Sequence, residues 1–325
     1  MQAATDFRWL KKGRIFCPEG RYDWMQSHSQ NPTALVLGDR VRVYINVRPK
    51  RNADGTMTAL PTFVDIDREN PARVLAVNEE PLVGLGEAGT FDQFGVMVRG
   101  IVSESDHVKL YYAGWNRCVG VPYNHAIGLA ISTDGGRSFS RFSKGPVLSR
   151  THREPFIQNC PFVKKIEGLY HMWYSTGTGW VESAGNMESI YVLVHATSHD
   201  GVEWERDGVP CVPTLNRDEC QTNASVIQVG SRYHMWFSHR RGTDFRNARR
   251  GYKNGYAWSD DLQIWHRDDE RSYFTETSEQ GDWDGEMICY PDVIELHGTL
   301  TMFYSGNGFG ATGFGYAVLD RDQAR

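Results

Sequence analysis

Nothing in these 325 residues approaches the run of about 18 apolar residues that a membrane-spanning helix needs. No stretch longer than about ten residues keeps a helical period, so neither a bundle nor an α/β fold is expected. Paired Cys-x-x-Cys spacings are missing as well. The six cysteines, at positions 17, 118, 160, 211, 220 and 289, are scattered and expected as free buried thiols rather than zinc ligands. Positive charge is not in excess: the formal net charge is −5 and the pI about 6.1, which argues against nucleic acid or an anionic membrane as the main partner. The first residues, from Met1 to Trp9, carry no apolar leader, and cytoplasmic residence is the expectation.

What is abundant is aromatic side chains and glycine. Phe, Trp and Tyr make up 12% of the chain and there are 33 glycines, a balance that favours many short strands joined by tight turns. One phrase recurs three times: Ser132-Thr133-Asp134-Gly135-Gly136-Arg137-Ser138-Phe139, Ser198-His199-Asp200-Gly201-Val202-Glu203-Trp204 and Ser259-Asp260-Asp261-Leu262-Gln263-Ile264-Trp265. Its serines lie 66 and 61 residues apart, a period that suits one propeller blade with long loops. Ser-x-Asp-Gly is turn chemistry, because the Asp side chain caps backbone N–H groups and Gly accepts φ > 0. The aromatic after it opens the next strand and can pack between neighbouring sheets. These aspartates are therefore expected to be structural.

A second repeat supports the same period. Leu110-Tyr111-Tyr112-Ala113-Gly114, Tyr170-His171-Met172-Trp173-Tyr174-Ser175, Tyr233-His234-Met235-Trp236-Phe237-Ser238 and Thr301-Met302-Phe303-Tyr304-Ser305 alternate bulky residues at period 2 and read as equivalent sheet strands. His171 and His234 fall in this repeat and are expected to pack. The reading is all-β: a five-bladed β-propeller of four-stranded antiparallel blades in one domain, 1–325, with blades near 27–75, 90–145, 155–210, 219–270 and 284–320. The last blade is a strand short, and the segment 7–16 is expected to close the ring. A two-domain β-sandwich is the competing architecture, and the repeats argue against it.

In a propeller the first strand of each blade lines the channel, so the residues entering those strands are the ones to read. Asp92, Glu154, Glu219 and Glu286 stand near the entries of blades two to five. Converging carboxylates suit glycosyl transfer, in which one acid protonates the leaving oxygen while a second carboxylate attacks or activates water. Glu219 or Glu286 is the expected acid and Asp92 or Glu154 its partner. His28, Asn31, His152, Asn159 and Asn307 are candidate substrate ligands, Trp180 and Tyr290 candidate stacking surfaces for a sugar, and Arg153, Arg217 and Arg240 candidate clamps for the substrate or an anionic group. The basic run Arg240–Arg250 suits a phosphate or nucleotide-sugar anion.

With its Ser-x-Asp-Gly-x-x-Trp turns and Tyr-x-Met-Trp-Tyr-Ser strands, nearly the whole chain resembles the five-bladed propeller glycosidases and phosphorylases: arabinanases, β-xylosidases, invertases, levansucrases and mannoside phosphorylases. Asn31-Pro32 looks like their blade-one Asp-Pro, Arg153-Glu154-Pro155 is similar to the Arg-Asp-Pro of invertases, and Glu219-Cys220 looks like their Glu-Cys, whose Glu is the acid/base. The resemblance implies a carbohydrate-active enzyme that hydrolyses or transfers a glycosyl group of a small carbohydrate or sugar phosphate. It requires no cofactor or catalytic metal and allows a calcium ion in the channel. Asn31 is the departure, since an amide can serve neither as nucleophile nor as base. The alternative it opens is a sugar-binding or repurposed propeller acting on a sugar-like metabolite.

Overall fold

The computed structural model describes residues 6–320 apart from 54, 247–249, 276–277 and 280. Strands Ser27–Leu37, Arg40–Arg48, Leu60–Asp67 and Val74–Val77 make blade one. Gly95–Ser103, Val108–Arg117, Tyr123–Ser132 and Ser140–Arg141 make blade two. Blade three is Gln158–Ile166, Leu169–Ser183, Asn186–Ser198 and Glu205–Pro210, and blade four is Glu219–Val229, Arg232–Arg241, Lys253–Ser259 and His266–Arg267. In blade five, Cys289–Leu296, Thr299–Ser305 and Phe314–Leu319 are joined on the outer side by the N-terminal strand Phe7–Phe16, which pairs antiparallel with Phe314–Leu319. The ring is thus closed by the two ends of the chain, as the missing strand implied. A short strand that the sequence did not signal, Ser272–Phe274, runs parallel to Phe7–Phe16 as a fifth member of that sheet.

The three Ser-x-Asp phrases turn the third strand of a blade into the fourth. In each, the Asp carboxylate accepts backbone N–H groups: Arg137 and Ser138 on Asp134, Val202 and Glu203 on Asp200, Gln263 and Ile264 on Asp261. The aromatic after the turn lies against the preceding blade, Phe139 on Tyr44, Trp204 on Tyr111 and Trp265 on Trp173, with ring centroids 5.9–6.1 Å apart. One local motif therefore reverses the chain and also seals the seam between sheets. His171 and His234 pack as expected, His171 flat on Trp173 and His234 flat on Tyr256.

Every innermost strand carries a one-residue bulge, seen as a register shift at Gln30/Thr33, Val98/Gly100, Asn159/Phe162, Thr222/Ser225 and Cys289/Asp292. In four blades the bulge puts a non-glycine residue at positive φ: Asn31 at 54°, Cys160 at 50°, Asn223 at 55° and Tyr290 at 60°. Left-handed backbone at such residues costs roughly 1–2 kcal/mol each, least for Asn, and bulges of this kind aim a side chain at one chosen place.

Below that level the channel is filled by Arg99, which has no exposed surface. Its guanidinium pairs with Asp292 at 3.0 Å and donates to the carbonyl oxygens of Pro32, Ala224 and Pro291, while Phe162 faces it at 5.5 Å. One side chain of blade two thereby touches all four other blades. It also turns the channel into a dead-ended bowl.

Candidate functional site

The mouth of the propeller holds a cavity of about 580 Å³. The four bulge residues Asn31, Cys160, Asn223 and Tyr290 reach it from blades one, three, four and five, and Trp115, Tyr123, Tyr191 and Tyr252 add aromatic wall. Aromatic faces beside amides are what a pyranose needs, with an apolar face to stack and hydroxyls to bind.

Four arginines line the same space, Arg48, Arg51, Arg240 and Arg246, against one carboxylate among the described residues, Glu188. Two of these arginines have no counter-charge, Arg240 buried and Arg48 half-buried. Arg48 donates from Nε to the side-chain oxygen of Gln30 at 3.0 Å, and burial pulls its pKa down to about 10. Arg240 lies 3.4 Å from the ring of Phe245 and about 5 Å from Tyr191 and Tyr252, and donates from Nη1 to the carbonyls of Arg241 and Gly242. Among the described residues neither has a carboxylate within ion-pair distance. Taking such a charge out of water costs several kcal/mol unless an anion offsets it, so this pair marks a place for one.

The histidines of the cavity do not add charge. Burial, then Arg48 and Arg51, pulls the pKa of His28 down to about 3, and burial alone does the same to His125. Both rings are neutral at ordinary pH. The amide nitrogen of Asn159 donates to Nδ1 of His125 at 3.1 Å, which leaves the proton on Nε2. That Nε2, Oδ1 of Asn159, Oδ1 of Asn223 and Nε of Arg240 are buried and make no hydrogen bond within the protein. Four polar atoms left over at one cavity, two donors and two acceptors, fit a ligand rich in hydroxyls. Glu188, 5% exposed, accepts at both carboxylate oxygens from Nη2 of Arg246, at 2.7 and 2.9 Å.

The residues singled out from the sequence divide cleanly. His28, Asn31, Asn159, Arg240 and Tyr290 line the cavity. The carboxylates do not, and three of them belong to a clamp repeated in successive blades. Asp92 accepts from the Tyr112 hydroxyl at 3.0 Å and from Nε of Arg141 at 2.7 Å. Glu154 accepts from the Tyr174 hydroxyl at 2.7 Å and pairs with Arg206 at 2.7 Å. Glu219 pairs with Arg267 at 2.6 Å, with the ring of His239 at 3.5 Å. Asp284 completes the series in blade five, with the Tyr304 hydroxyl at 2.9 Å and Lys11 at 3.0 Å. In each case a carboxylate at the blade entry meets a cation on the fourth strand. In three blades it also meets a phenol on the second strand, whose place Phe237 takes in blade four. The expected ring of converging acids is thus a ring of separate, internally satisfied ion pairs.

Glu286 is exposed in a side groove between blades four and five with Lys253 and Met287, and Asn307 holds its turn by accepting the N–H groups of Glu286 and Met287. Trp180 stands behind the wall, edge-on to Tyr123 at 5.1 Å. His152 and Arg153 are exposed on the loop before blade three, and Arg217 lies in a groove between blades three and four. Of the basic run, Asn247, Ala248 and Arg249 lie outside the described residues. No cluster of three His, Cys, Asp or Glu side chains occurs among the described residues, and the channel below the bowl holds Arg99. The cysteines are all free, but only Cys160, Cys220 and Cys289 are buried; Cys17 and Cys211 are half-buried and Cys118 is exposed.

Sequence reasoning missed Arg48, His125 and Glu188. The signal for Glu188 was length. The hairpin of Leu169–Ser183 and Asn186–Ser198 runs well past Ser175, where the repeated strand phrase ends, and the extension carries Glu188 to the mouth.

No helix among the described residues is long and apolar enough to cross a membrane. No family model matches the chain. It is 35% identical over 314 residues to an uncharacterised protein of Mycobacterium tuberculosis, a match covering 96% of this chain and 99% of that protein, in two strains. It is also 32% identical over 146 residues to a 1,2-beta-oligomannan phosphorylase of a Thermoanaerobacter species, which covers 44% of this chain and 41% of the enzyme. Among solved structures it is similar to a glycoside hydrolase (TM-score 0.73, 15% identity, 97% of this chain and 92% of that one). A structure described with the mannoside phosphorylases gives a TM-score of 0.66 at 15% identity over 99% of this chain and 93% of that one. The end-to-end match decides the family, and the chain belongs with the uncharacterised mycobacterial proteins, on the five-bladed propeller fold of glycoside hydrolases and mannoside phosphorylases.

Proposed function

We infer that the chain is a carbohydrate-active enzyme that moves a glycosyl group between a sugar hydroxyl and inorganic phosphate in the mouth cavity. The observation that carries this reading is one carboxylate, Glu188, sharing its cavity with two arginines without a counter-charge, the buried Arg240 and the half-buried Arg48. Hydrolysis by paired carboxylates needs two acids across the scissile bond, and the described residues bring only one to the cavity. Phosphorolysis needs one, because phosphate is itself the nucleophile. Arginine binds phosphate with two parallel N–H donors, and a dry site strengthens that contact. Glu188 then protonates the leaving oxygen, while His125, Asn159 and Asn223 bind hydroxyls. The partial match to an oligomannan phosphorylase supports the same direction. A cytoplasmic setting, expected from the sequence, supplies the phosphate.

The test is release of glycosyl phosphate from a panel of oligosaccharides that includes β-1,2-mannosides, with and without inorganic phosphate. Release that requires phosphate and is lost in Glu188→Gln is the expected result. Cleavage to free sugar that ignores phosphate contradicts it.

One observation favours a second reading, a propeller that binds a sugar phosphate without turning it over. Nη2 of Arg246 donates to both side-chain oxygens of Glu188, so the group that would have to give the proton is tied up in an ion pair. Retained binding of glycosyl phosphate with no turnover in either direction would establish that reading instead.

A further inference from the structure

The ion pair that argues against catalysis also suggests how catalysis is controlled. We propose that an oxyanion bound at Arg240 draws Arg246 away from Glu188, and that the freed carboxyl group takes up the proton it later donates. This rests on the phosphate-dependent reading above.

Three features of the pair support a latch. Its two halves differ in freedom, since the Glu188 side chain is 7% exposed and that of Arg246 is 60% exposed, so only the arginine has room to swing. Phe245 carries both guanidiniums, Arg240 at 3.4 Å and Arg246 at 4.5 Å from its ring, so an anion on Arg240 arrives beside Arg246. Arg240 keeps Nε unpartnered, and among the described residues no carboxylate neutralises it.

The charged and titratable groups facing Glu188 govern its protonation. They are Arg246, paired with it, and the phenol of Tyr123, with Arg240, Arg48, Arg51, Tyr191 and Tyr252 in the same cavity. His28 and His125 are neutral there. Removing a bound cation and adding an anion both favour the uncharged carboxyl. In the step itself, the proton of Glu188 goes to the leaving oxygen as the bond from that oxygen to the anomeric carbon breaks. An oxygen of hydrogen phosphate forms the new bond to that carbon, and the phosphate's own proton returns to Glu188. The acid is thus armed only when the nucleophile is present, which keeps the site from cleaving its substrate with water.

Calorimetry of sulfate binding near pH 5.5, in two buffers of different ionisation enthalpy, tests the latch without needing the sugar. Sulfate stays fully ionised at that pH, so every proton taken up belongs to the protein. The wild type should take up several tenths of a proton per sulfate bound. Glu188→Gln should lose this uptake, and Arg246→Gln, at an exposed position, should bind sulfate more weakly and lose most of it. Sulfate binding without proton uptake in the wild type, or with undiminished uptake in Glu188→Gln, overturns the latch and leaves the phosphate-dependent reading standing. No binding of sulfate or inorganic phosphate overturns both.

Discussion

Glu154 and Glu188 belong to the same blade, 34 residues apart, and each is nearly sealed from water and held by an arginine. Around Glu154 the arginine is itself buried, at 12% side-chain exposure, and the Tyr174 hydroxyl occupies the other carboxylate oxygen. Around Glu188 the arginine is exposed, and the cavity beyond holds further cations instead of further acids. The first carboxylate has all its partners inside the protein. The second faces a space with more positive charge than its own charge can balance. Burial and an ion pair therefore do not by themselves set a carboxylate apart; what sets Glu188 apart from Glu154 is the unmatched positive charge around it.

Substitutions probe this contrast at either end. The largest effect is expected for Glu188→Gln, which should lower phosphate-dependent turnover by roughly 10²–10⁴-fold, the usual weight of a general acid, with unfolding by urea unchanged. Glu154→Gln should do the reverse. Leaving Arg206 buried without its partner should cost about 3 kcal/mol of stability in urea titrations, with the activity of the folded fraction retained. Acidification should reveal the buried imidazoles. His125 has a pKa of about 3 in the folded chain against an ordinary value of 6.5, so the unfolded chain binds the extra proton first. Its contribution is complete above pH 6.5 and is lost as pH falls towards 3, and His125→Gln should flatten the fall in melting temperature over that window. The smallest effect sharpens the charge argument: Arg48→Met should weaken phosphate binding roughly tenfold by calorimetry while melting at the same or a higher temperature, because an unpaired, half-buried charge has been removed.

The blades were legible because their signals are local. A Ser-x-Asp-Gly turn and an alternating strand need only a few neighbouring residues, and the aromatic after each turn has one seam to enter. The missing strand of blade five pointed to Phe7–Phe16 by arithmetic. The roles of the carboxylates were not legible. Asp92 and Glu154 become clamps because Arg141 and Arg206 reach them from some 50 residues further on, and nothing near either acid announces those partners. Asn31 was singled out for its chemistry, as an amide where a carboxylate was expected. The structure adds a conformational fact: it occupies a left-handed bulge at the cavity, a backbone state that Asn tolerates better than most residues. Glu188 stayed hidden because its place depends on a hairpin extension and on an arginine from the next blade.

If the charge left over at the mouth has the meaning given to it, this bowl, and not the blade entries, receives the anionic end of a sugar substrate. The decisive measurement is a crystal structure of the chain soaked with a glycosyl phosphate such as mannose 1-phosphate. The phosphate is expected against Arg48 and Arg240 and the sugar hydroxyls on His125, Asn159 and Asn223. A phosphate bound at the entry clamps of Asp92, Glu154 or Glu219, or a sugar held in the mouth with its phosphate turned away from both arginines, would contradict it.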